Sequence, residues 1–102
     1  MASQQNGASL NDRVMDVVAL LQSCPHIDSV RYAYSRIIHR LQGCLERAKL
    51  VRLRTGRAPQ LDGLDWLSRV VQDHPAFERL TPDSQAMQRE LQALVVRIGR
   101  GA

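Results

Sequence analysis

Four arginines, Arg36, Arg40, Arg47 and Arg54, recur at spacings of four and seven residues, and on a helix turning about 100° per residue they fall within about 40° of one another. Such an edge presents guanidinium forks to an anion, because each fork can give two parallel N–H bonds to the oxygens of a carboxylate or a phosphate. Charge is concentrated around them. Between residues 28 and 57, eight bases (Arg31, Arg36, Arg40, Arg47, Lys49, Arg52, Arg54 and Arg57) stand against two acids, Asp28 and Glu46, a net +6 against −2 for the rest of the chain. An acidic protein surface is the first partner this pattern suggests, and nucleic-acid phosphate the second. A solvated flank that keeps a long helix in solution accounts for the same residues with no partner, and thirteen Arg to one Lys is also a ratio that genome base composition can produce. No RNP aromatic signature, zinc-finger spacing or KH-type glycine loop accompanies the arginines.

Other reactive residue types carry less. Cys24, His26, His39, Cys44 and His74 are the soft metal-ligand types, and their spacing gives one Cys-x-His and one His-x4-Cys, neither of which matches a zinc knuckle or an i, i+4 histidine site. No metal and no cofactor is expected. Cys44 falls on an apolar stripe, where burial would hold it as the thiol and deny it to nucleophilic chemistry. Asp12, Asp28, Asp62, Asp65 and Asp83 stand at helix starts, so capping explains them without acid–base catalysis. There is no glycine-rich loop after a strand to cradle a nucleotide. Tyr32, two residues from Tyr34, faces away from the core side and joins the arginines as a candidate partner contact.

The elements that must position these residues follow from hydrophobic spacing. Val30, Tyr34, Ile37, Leu41, Cys44, Ala48 and Val51 alternate at four and three residues, which predicts one long helix over residues 28–55. Ala33, Ile38 and Leu45 broaden its face. Asp28 is its expected N-cap, Arg52 and Arg54 suit its negative end, and Gly56 is placed to close it in the left-handed conformation. Gly43 is a weak point of about 1 kcal/mol relative to Ala, and a candidate site of close helix approach. Before it, Leu10, Val14, Val17, Val18 and Leu21, widened by Met15 and Leu20, predict a first helix over residues 10–23, opened by a Ser9/Asp12 capping box and stopped by Cys24-Pro25. After it, Asp62 caps a third helix over residues 63–73 whose face is Leu64, Leu67, Val70 and Val71, with Trp66 at the margin and His74-Pro75 as the stop. Phe77 and Leu80 plug a turn. Thr81 and Pro82 then open a fourth helix bearing Met87, Leu91, Leu94, Val95 and Ile98, which Gly99 ends.

The expected fold is all-α: a small four-helix bundle organised on one long central helix, with residues 1–9 as a loose tail and residues 10–99 as a single helical domain. Apolar residues make up 44% and charged residues 24%, as in ordinary globular domains. No stretch approaches the roughly 18 apolar residues of a membrane span, and the first residues lack a secretory pattern, so a cytoplasmic or otherwise intracellular protein with no membrane partner is expected. Two buried free thiols suit that compartment. The central helix, at about 42 Å, outreaches companions of about 21, 17 and 26 Å. The arrangement expected is helix 1 along its first half, helix 3 along its second and helix 4 across both. Any length of stripe left open would need a second copy, giving a homodimer, or another protein.

Function follows as an expectation: a non-enzymatic protein–protein interaction module, whether adaptor, assembly or secretion chaperone, or complex subunit. It would dock its partner through the long helix, with Arg36, Arg40, Arg47, Arg54 and Tyr32 as the contact set. The alternative is a small basic nucleic-acid-binding regulator.

Overall fold

The computed structural model describes residues 9–79 and 81–102; the expected tail, apart from Ser9, and the expected plug residue Leu80 lie outside them. Four helices are present, α1 (Leu10–Gln22), α2 (Ile27–Thr55), α3 (Asp62–Asp73) and α4 (Pro82–Arg100), with a 3-10 turn at Pro75–Phe77 before α4. There is no strand among the described residues. The chain is an all-α four-helix bundle about its longest helix, measuring 43 × 25 × 20 Å, and none of the described helices is long and apolar enough to cross a membrane.

Local chemistry sets the helix starts. Ser9 Oγ accepts from Asp12 N–H at 3.1 Å, while Asp12 returns the bond to Ser9 N–H at 3.4 Å, the longer reach expected of a short acid. Thr81 makes the equivalent box with Ser84, and Pro82 occupies the first helical position. α2 begins one residue earlier than expected. His26 is its N-cap but its side chain caps no backbone N–H, and Asp28 sits inside the first turn, where it meets Arg31 at 3.1 Å instead of capping. α3 likewise takes Asp62 into the helix, and Leu61, its N-cap, offers no side-chain acceptor.

That missing cap is supplied from another helix. Asn11 Oδ1 on α1 accepts from Gly63 N–H at 2.8 Å, possible because α3 lies so close that a Cβ on Gly63 would stand 2.9 Å from that oxygen, 3.1 Å from Met15 Sδ and 3.2 Å from Val14 Cγ1. Close approach between helices therefore occurs at Gly63 and not at Gly43, which is exposed with nothing within 4 Å of its Cβ position. Gly63→Ala is expected to lower stability by about 1–3 kcal/mol in urea denaturation, because the added methyl both overpacks the contact and pushes the Asn11 acceptor away. A neutral result would mean that the α1–α3 contact yields freely.

The same contact changes the expected arrangement. α3 does not run along the second half of α2: it packs on α1 and α4, and the helices go round the bundle in the order α1, α2, α4, α3. α1 and α3 run parallel, joined by Asn11 to Gly63 at one end and by Leu21 O to His74 Nε2 at the other. α2 and α4 also run parallel. Arg31 meets Asp83 at 2.7 Å near their starts, Tyr34 Oη donates to Glu90 at 2.5 Å further along, and Arg52 donates to Arg100 O at 2.7 Å near their ends. Gln88 and Gln92 of α4 donate to the carbonyls of Val71, Gln72 and Ser68, giving partners to two carbonyls of the last turn of α3.

Arg52 also explains where α4 stops. Gly99 remains helical, and the left-handed residue is Gly101 at φ 69°, where a Cβ would meet Arg52 Cβ at 3.0 Å and Ala48 O at 3.2 Å. α4 thus gains two further residues, Gly99 and Arg100, and the Arg100 carbonyl accepts from the Arg52 guanidinium of α2. The other left-handed glycine, Gly56, closes α2 as its position implied.

One core joins all four helices: Val14, Val17, Val18 and Leu21 of α1, Val30, Ala33, Ile37, Leu41, Cys44, Leu45 and Ala48 of α2, Leu67 and Val71 of α3, and Leu91, Leu94, Val95 and Ile98 of α4, with Phe77 from the 3-10 turn. Val51 of the α2 stripe is only half-buried, and Met15 and Trp66 are partly exposed at the margin of the core.

Candidate functional site

On α2 the buried stripe turns the opposite flank outward. Arg36, Arg40, Arg47 and Arg54 are all exposed, so the arginine edge lies on the surface. Among the described residues, the ion pairs are Arg31 with Asp28 and Asp83, and Lys49 with Glu46. None involves the four arginines of the edge. Their charge is open to an external anion, whereas Arg31 is held by Asp83 first and Asp28 second, which raises its guanidinium further above its ordinary value. Arg52 is likewise committed, to the end of α4.

The two tyrosines divide as their spacing implied. Tyr34 is half-buried between α2 and α4, and burial together with the Glu90 hydrogen bond pushes its phenol well above the ordinary tyrosine range. Tyr32 is 87% exposed. Two further residues join the outward face that spacing arguments about the core stripe had passed over: Leu53, 82% exposed, and Leu50, 50% exposed. The signal was present in the sequence, since Tyr32, His39, Glu46 and Leu53 are each seven apart.

A groove of about 480 Å³ lies between the end of α1 and α3, lined by Pro25, Trp66, Val70, Pro75 and neighbouring polar groups. Arg69 lies over the Trp66 ring at 5.5 Å, one turn along α3, and covers part of that apolar surface. His74 borders the groove, but both its ring nitrogens are engaged: Nδ1 accepts from Ala76 N–H at 3.0 Å, so the proton of the neutral ring sits on Nε2 and is donated to Leu21 O at 2.8 Å. Cys24 is buried and its thiol donates to Leu20 O. Cys44, also free and buried, is pushed above the ordinary thiol range by that burial, with Arg13 and Arg47 opposing the shift. Among the described residues, no three His, Cys, Asp or Glu side chains converge as a metal site.

A scan against protein-family models, a search of curated proteins and a search of solved structures each found no match to this chain.

Proposed function

We propose that this protein is a non-enzymatic protein–protein interaction module, an adaptor, an assembly or secretion chaperone, or a subunit of a larger complex, that docks its partner through α2 and the arginine edge. One observation carries the reading: four exposed arginines on one helix edge have no acid against them among the described residues, while Tyr32, Leu50 and Leu53 stand exposed on the same helix. Guanidinium groups in that state favour an acidic surface, and exposed leucines favour a partner with apolar side chains of its own.

The rival reading, a nucleic-acid-binding regulator, draws on the same arginines and predicts affinity that falls steeply with salt. It gives Leu50 and Leu53 nothing to do, since a phosphate backbone offers leucine no apolar contact. Capture from native cytosol, with and without nuclease, separates the two. Partners should survive nuclease and be lost when Arg36, Arg40 and Arg47 are changed together to Ala, with affinity falling at least about tenfold, the value of roughly one charge-assisted bond. Unchanged capture by the triple variant discards the arginine edge; capture abolished by nuclease transfers it to nucleic acid.

A further inference from the structure

α2 carries a second heptad seam on the side away from the core. Tyr32, Arg36, His39, Gly43, Glu46, Leu50 and Leu53 alternate at four and three residues, and every one is exposed. At about 100° per residue this seam lies roughly 150° from the buried stripe, and the edge formed by Arg40, Arg47 and Arg54 flanks it. All the exposed large apolar side chains of α2, which are Tyr32, Leu50 and Leu53, belong to it. Gly43 marks its middle, with nothing within 4 Å of a Cβ position. Shallow hollows open at its two ends, one bordered by Leu20, Ala33, Tyr32 and Arg36, the other by Leu50, Leu53 and Gly101. From Tyr32 to Leu53 it is about 32 Å long, three heptads.

We infer that this seam seats one amphipathic helix of another protein, with apolar residues at heptad spacing and Asp or Glu along the side that meets Arg40, Arg47 and Arg54. The inference rests on α2 being the docking helix, and it specifies the face and the chemistry of the occupant. A helix seated there packs apolar knobs around Tyr32, Leu50 and Leu53, comes closest at Gly43, and sets its carboxylates against the unpaired guanidinium groups. Charge selects this occupant over a second copy, since residues 28–57 already net +6 and two such helices side by side repel. Phosphate would meet the arginines and leave the leucines in water. A bilayer surface needs a broad apolar face, whereas His39, Gly43 and Glu46 separate Tyr32 from Leu50.

The test uses a fluorescent synthetic three-heptad peptide with Leu at the core positions and Glu on its flanks, beside a counterpart with Lys on the flanks. The Glu peptide should bind the full chain at least about tenfold tighter than the Lys peptide. Gly43→Leu, which fills open space without touching the core, should weaken it at least about tenfold with an unchanged circular dichroism spectrum, and so should Leu50→Ser with Leu53→Ser. If these variants bind as the wild type does while the Arg36, Arg40 and Arg47 triple variant loses the peptide, the seam is overturned and arginine-edge docking stands. If the triple variant also binds unchanged, both fail. A wild-type dimer in sedimentation that Gly43→Leu dissociates would give the seam to a second copy. Binding to phosphatidylserine vesicles or duplex DNA that Gly43→Leu abolishes would give it to those, and each of these results overturns the acidic helix.

Discussion

Replacing Leu41 by alanine should destabilise the domain by about 2–5 kcal/mol, the range for removing a buried leucine from a packed core. Leu41 is fully buried halfway along α2, inside a cluster to which all four helices contribute. Its loss therefore opens a hole that no single helix can close by shifting. Domains of this size lose about 4–8 °C of melting temperature per kcal/mol, so thermal denaturation followed by circular dichroism should show unfolding at least about 8 °C earlier. A change below about 0.5 kcal/mol would place Leu41 outside the core.

His74→Leu should cost about 2–4 kcal/mol although it puts a comparable apolar volume into the same site. The His74 ring ties the 3-10 turn to α1: it accepts from Ala76 N–H and lies 5.8 Å from the Phe77 ring, both in the turn, and donates to Leu21 O at the end of α1. Leucine can do none of the polar work, and the Ala76 amide, on a buried residue, loses its acceptor. Leu21 O suffers less because it also accepts from Cys24 N–H. His74→Asn separates the two bonds, since a short amide can still accept two residues on but cannot reach α1. It should recover about 1 kcal/mol of the loss in urea denaturation. Equal stability of wild type and His74→Leu would show the polar bonds to be neutral and the site to be apolar packing alone.

The sequence made the helices legible wherever a few adjacent residues decide the outcome. Ser9 with Asp12, Thr81 with Pro82, and Gly56 act within one turn, and the heptad run through Ile37, Leu41 and Cys44 reports burial directly. What escaped depends on residues far apart in the chain. The partner of α3 is set by Asn11 meeting Gly63, and the end of α4 by Arg52 meeting Arg100; the choice between Gly99 and Gly101 has no local cue. Asp28 and Asp62 look like caps by type, yet α2 starts one residue before Asp28 and α3 at Asp62 itself, so neither acid stands at the N-cap. The surface was half legible: the spacing of Arg36, Arg40, Arg47 and Arg54 placed them on one edge, but Leu50 and Leu53 are apolar and invite assignment to the core, and the register that puts them outside shows only when they are aligned with Tyr32, His39 and Glu46 instead of with the apolar stripe.

The parallel fastening of α4 along α2 has a mechanical result. With Arg31 and Tyr34 fastening the first turns of α2 to α4 and Arg52 fastening its end, α4 acts as a splint along α2 before anything touches its far side. A visitor to that side would meet a rail already formed, and the speed of its arrival would be set by collision and alignment, with no folding of the host to wait for.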